Sequence, residues 1–118
     1  MDGSLRDIYV FDTTLADWER LINFIRDKFP IISFTLDSVQ AKMPANASEI
    51  FAFRASQNPS CNFMVNGISV AFHFFCEEEI EMDIVPNDID RPERLAILLN
   101  FIAGLGDCLN KPVVLTPE

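Results

Sequence analysis

The chain has 118 residues, 18 acidic against 9 basic for a formal net charge of −9, 49% hydrophobic residues and eleven phenylalanines. That length predicts one domain over residues 1–118, and the apolar content is enough for a sizeable core, which excludes disorder as the general state. The negative balance excludes nucleic acid and anionic membrane as expected partners, since both are bound through basic surface.

The opening MDGSLRD has neither the basic segment nor the apolar run of a secretory signal. No window approaches the ~18 apolar residues of a membrane span. A cytoplasmic protein is the resulting expectation. Cys61, Cys76 and Cys108 agree with it: they are odd in number, form no CxxC pair, and are expected buried and reduced.

Residues 7–11 (DIYVF) predict a first strand. Thr14 and Asp17 make a capping-box-like start to a helix in which Leu15, Trp18, Ile22, Ile25 and Phe29 recur at helical spacing. Trp18 is expected in the core. Pro30 ends that helix. Residues 31–36 (IISFTL) predict a second strand, Asp37 and Ser38 a turn, and residues 39–43 a short third strand. One helical turn is expected after Ser48, followed by a polar connector over residues 55–59.

Residues 60–86 predict two consecutive β-hairpins. Asn66-Gly67 suits the positive φ angles of a type I′ turn. It pairs Val65 with Ile68, Phe63 with Val70 and Cys61 with Phe72. A three-residue reversal at Glu77-Glu78-Glu79 then pairs Cys76 with Ile80, Phe74 with Met82 and Phe72 with Ile84, since only an odd loop keeps the apolar residues on one side. The other side carries Ser69, Ala71, His73 and Phe75 against Glu81 and Asp83, with His73 opposite Asp83 and Phe75 opposite Glu81. Asp90 and Pro92 open a second long helix, whose apolar arc exceeds half its circumference. Gly104 and Gly106 predict a close contact or an early end there. Residues 113–116 (VVLT) predict a last strand at a sheet edge. The fold class is therefore α+β: a mostly antiparallel sheet with two long helices packed on one face, a two-layer sandwich.

His73 with Glu81 and Asp83 is the one constellation with chemical potential, as general base or metal ligand. A flat strand face offers no cleft, however, and no nucleophile pairs with the histidine. The sequence has no nucleotide loop, GxSxG or HExxH. An ion pair or a recognition surface is the better reading, with no catalytic residue, metal or cofactor expected. Glu77, Glu78, Glu79, Glu81 and Asp83 place five carboxylates within seven residues. They read as a solvated hairpin tip or, with Phe75 as anchor, as a patch for a basic protein partner.

The segments HFFCEEEIEMDI, LLNFIAGLGDCLNKP and VVLTPE, in that order, resemble small acidic bacterial proteins, among them immunity proteins of toxin systems. The resemblance covers roughly the C-terminal half and rests on pattern. It implies a cytoplasmic α+β protein that binds and blocks a cognate toxin, often a basic nuclease, and it assigns no inhibitory residue. The leading expectation is thus a non-enzymatic binding module using His73, Phe75, Glu77, Glu78, Glu79, Glu81 and Asp83. One alternative is a homodimeric structural or regulatory domain joined through Ile97, Phe101 and Cys108. Another is a carboxylate- or metal-dependent enzyme.

Overall fold

The computed structural model of the chain describes residues 5–117. The start of the chain, read above as lacking a secretory signal, falls partly on residues 1–4, outside the described residues. The elements follow the expected order: β1 (Leu5–Phe11), α1 (Leu15–Lys28), β2 (Ile31–Leu36), β3 (Val39–Gln40), α2 (Ala47–Ala52), β4 (Pro59–Val65), β5 (Ile68–Cys76), β6 (Glu79–Ile84), α3 (Pro92–Leu109) and β7 (Val114–Pro117). The seven strands form one antiparallel sheet in the order β3-β2-β4-β5-β6-β1-β7. The fold is α+β, and β7 lies at an edge as expected.

Side-chain alternation gives the sheet two unlike faces. Phe34, Cys61, Phe72, Met82, Ile8 and Leu115 are successive cross-strand partners along one line. They lie in or against a single apolar cluster with Trp18, Leu21, Ile22 and Ile25 of α1, Ile50 of α2, and Leu98, Phe101, Leu105 and Leu109 of α3. Trp18 is fully buried at the centre, in ring contact with Phe51, Phe72 and Phe74. The broad apolar arc of α3 has a partner on α1: an added Cβ on Gly104 would lie 3.4 Å from the Phe24 ring. The glycine is the close contact that its helix cost predicted.

The Thr14/Asp17 capping box forms, with Thr14 N–H donating to Asp17 Oδ2 (2.9 Å) and Asp17 N–H to Thr14 Oγ1 (3.3 Å). Several boundaries differ from expectation. The strand over residues 39–43 stops at Gln40. The single turn after Ser48 is a six-residue helix, capped earlier by Asn46, whose side chain accepts from Glu49 N–H. The N-cap of α3 is Arg91, without a side-chain bond, rather than Asp90.

The first hairpin has the predicted register throughout. The second does not. Phe72 pairs with Met82 and Val70 with Ile84, two residues away from expectation, and Cys76 pairs with Glu79 across a two-residue turn. Between His73–Glu81 and Cys76–Glu79 the register shifts, so Phe74 and Phe75 together oppose Ile80. The odd residue demanded by the apolar pattern is there, but it sits in a β-bulge instead of the turn. One consequence is a correction: Cys76 shares the outward side of Glu79 and is exposed, not core-facing.

Candidate functional site

The face of the sheet turned away from the core carries the predicted site residues, and the corrected register decides their neighbours. Thr35, Ser60, His73, Glu81, Tyr9 and Val114 are successive partners across β2, β4, β5, β6, β1 and β7. The adjacent line runs Ser33, Asn62, Ala71, Asp83, Asp7 and Thr116. His73 therefore lies opposite Glu81, and Asp83 opposite Ala71. The predicted His73–Asp83 contact still forms, diagonally: Nε2 of His73 is 3.1 Å from Asp83 Oδ2. The other ring nitrogen, Nδ1, is 3.3 Å from Ser60 Oγ. A neutral imidazole satisfies both by donating from Nε2 to the carboxylate and accepting the Ser60 hydroxyl at Nδ1.

β6 thus presents Glu79, Glu81 and Asp83 in a row, with Asp7 of β1 beside Asp83. Aromatic pairs bound the row on both sides. On β1, Tyr9 stacks on Phe11 with centroids 5.5 Å apart. On β5, His73 stacks on Phe75 at 5.1 Å. Phe11 and Phe75 are 48% and 51% exposed, which leaves the outer ring of each pair open. β5 and β6 contain no Lys or Arg. The electrostatics of Glu81 reflect both burial and these neighbours. Burial, then Asp83, Asp7 and Glu79, hold the Glu81 carboxyl above its usual range, and His73 opposes them weakly. The Tyr9 phenol is raised by burial and next by Glu81.

Glu77 and Glu78 lie apart from the row, at the exposed turn. Their main chain, not their side chains, is engaged. Thr13 Oγ1–H and Trp18 Nε1–H donate to Glu77 O (2.7 and 3.1 Å), and Thr13 N–H donates to Glu78 O (3.0 Å). The turn is pinned to the start of α1, which holds the end of the carboxylate row in place. Nothing in the local sequence of Thr13 signalled this bond.

Ser60 and Ala71 are small, so the face is not flat as expected. A depression of about 460 Å³ opens beside His73 and Phe75, lined also by Thr35, Asn62 and a rim from the β2–β3 turn and the connector before β4. Asp88 and Asp90 do not reach His73: Asp88 accepts from Ser69 N–H and Asp90 from Arg91. Of the expected dimer residues, Phe101 is only 3% exposed and belongs to the core, while Ile97 and Cys108 are partly covered and pack against it. Leu99 of α3 is a large apolar residue that is half exposed. Among the described residues, no group of three or more His, Cys, Asp or Glu is placed to hold a metal ion, and no helix is long and apolar enough to cross a membrane. No family model, curated protein or solved structure matches the chain.

Proposed function

We propose that the chain is a non-enzymatic protein-binding module that captures a basic partner on the outer face of its sheet. In this reading the molecule is a two-layer sandwich, with the long helices α1 and α3 covering one face and the other left for the partner. The observation that carries the proposal is the row Glu79, Glu81 and Asp83, uncompensated by Lys or Arg on β5 or β6 and bracketed by half-exposed aromatic rings. A folded protein that keeps like charges adjacent bears a cost in stability, and a cationic surface relieves it on binding. Phe75 and Phe11 supply apolar anchors and ring faces for Lys or Arg side chains, and the carboxylates raise association rate and exclude acidic competitors. The resemblance to immunity proteins suggests a basic toxin as that partner.

The test is capture of partners from the source cell by the immobilised chain, with a Glu79→Lys/Glu81→Lys/Asp83→Lys variant alongside. A basic protein retained by the wild type and lost by the variant supports the reading. Retention by both at moderate salt removes this face as the site.

A further inference from the structure

The depression beside His73 and Phe75 has a chemistry unlike the carboxylate row. Ser60, Ala71 and Phe75 line its strand side. Its opposite rim is built from Asp37, Ser38, Arg54 and Asn58, which the chain ties together. Asp37 N–H donates to Asn58 O (3.1 Å), Asn58 N–H returns to Asp37 Oδ1 (3.0 Å), and Arg54 Nη1 donates to Asn58 Oδ1 (2.7 Å). Arg54 also lines the depression, which puts a cationic group on this rim beside the Asp37 carboxylate. Asp37 and Ser38 both adopt positive φ, 51° and 67°. They are the two central residues of the turn that joins β2 to β3, where positive φ at both positions is the ordinary hairpin geometry. Phe75 has a different origin. It is the residue inserted by the bulge, and bulges recur where a side chain is re-aimed toward a site.

The lining selects a ligand class. An apolar molecule would strip water from Thr35, Ser38, Ser60 and Asn62 without replacing their hydrogen bonds. A cation would face the Arg54 guanidinium. An anion would meet Arg54 but share the mouth with the Asp37 carboxylate and lie near the β6 row, whose nearest cation-forming group, His73, is already bonded to Asp83. A neutral molecule with hydroxyls, each both donor and acceptor, satisfies guanidinium, carboxylate and serine together. The half-exposed Phe75 ring calls for one apolar face on the same molecule. The volume is in the lower part of the range for small-ligand sites, roughly 300–1,000 Å³.

We propose that this depression binds a neutral pyranose sugar, its C–H face on Phe75 and its hydroxyls on Arg54, Asp37 and Ser60. The proposal does not rest on the basic-partner reading, although both use Phe75.

His73 is the single histidine, so its ring C–H resonances report the depression without assignment ambiguity. The full chain is titrated with methyl glucoside, methyl galactoside, methyl mannoside and N-acetylglucosamine, and with glucuronate and glucosamine as charged counterparts. At least one neutral pyranose is expected to give a saturable shift of the His73 resonances at millimolar concentration. Phe75→Ala and Arg54→Ala, each checked by thermal unfolding, are expected to weaken it at least about tenfold, the loss of one good contact. Phe75→Tyr, which keeps the ring on a half-exposed site, is expected to retain it. The proposal is overturned if no neutral pyranose shifts His73 saturably. It is equally overturned if both alanine variants bind as the wild type does, or if glucuronate or glucosamine binds more tightly than the neutral sugars.

Discussion

Replacing Glu81 by glutamine isolates the charge on the outer face from everything else. The side chain keeps its size, and no hydrogen bond of the Glu81 carboxylate is lost, because the described residues give it none. Its carboxylate neighbours, in order of effect, are Asp83, Asp7 and Glu79. Two of these lie two residues away along the strand, at roughly 7 Å, and Asp7 lies diagonally across the β1 pair. At that distance a like pair costs about 0.6 kcal/mol at the dielectric of water, the lower bound for this partly covered face. The two pairs along the strand come to about 1.2 kcal/mol unscreened, and Asp7, which has an interaction of its own, adds less than a full pair. Glu81→Gln is therefore expected to raise stability by about 1 kcal/mol in low salt at pH 7. Screening with a Debye length of about 8 Å should reduce the gain to about 0.5 kcal/mol at physiological ionic strength. The sign follows from the raised carboxyl: ionisation disfavours the folded state, so Glu81 contributes a loss of stability as pH rises from the unfolded value of about 4.3, a contribution the variant lacks. The two should converge near pH ~3, where both side chains are neutral. Urea denaturation measures this. Tyr9, the only tyrosine, provides a second readout, since its phenolate absorbance should titrate at lower pH once its largest electrostatic perturber is neutral. A Glu81→Gln variant that is destabilised at pH 7 in low salt, with Tyr9 titrating unchanged, would refute an uncompensated face and remove the support for a basic partner.

Asp17 is the opposite case. Its side chain is 2% exposed; burial pushes its carboxyl up, but the Thr14 N–H, Arg20, Lys111 and the Thr14 hydroxyl together hold it below its ordinary value. Asp17→Ala should cost about 2 kcal/mol at pH 7, from the lost cap and charge-assisted bonds, and chemical denaturation should show that cost fading as pH falls below ~4. Of the three thiols, Cys76 should react first with a thiol reagent in the native state. Cys61, buried and pushed up to about 12, should react only on unfolding, and a native chain that labels Cys61 as fast as Cys76 would contradict the bulge. Deleting Phe75 should leave a folded chain within about 1 kcal/mol of the wild type, because a regular ladder through His73–Glu81, Phe74–Ile80 and Cys76–Glu79 then closes without strain. Circular dichroism and thermal unfolding check this, and a deletion that abolishes folding shows the bulge to be structural.

The first hairpin was fully legible because Asn66-Gly67 admits one turn type, and period two then settles every partner. The order of elements was legible because Thr14, Pro30 and Pro92 punctuate the helices. The second register was not. The apolar alternation of Cys76, Ile80, Met82 and Ile84 demands an odd number of extra residues but says nothing of whether the odd one sits in the turn or in the strand. The deciding bonds come from Thr13 and Trp18 to the carbonyls of Glu77 and Glu78, some 60 residues away in sequence. The outer face was legible in composition and partly in partners: His73 does bond Asp83, but from the diagonal. The depression was missed because concavity on a sheet arises from small residues on neighbouring strands, here Ser60 and Ala71, together with a rim supplied by Arg54 and Asn58.

The bulge links these two failures. Without Phe75, β5 would alternate His73 out, Phe74 in and Cys76 out, and the core would be unchanged, since Phe74 packs against Trp18 and Phe51 in either case. The inserted residue therefore contributes little to the interior. What it adds is a large ring on the outer face, stacked on His73 and standing between the carboxylate row and the Arg54 rim. A single apolar ring half in water is ordinary on a protein surface; what distinguishes Phe75 is its place, beside His73 and lining the depression. Both functional readings use Phe75 for that reason, and they divide on what meets its ring: the cationic side chains of a partner from the β6 side, or a sugar face from the β4 side.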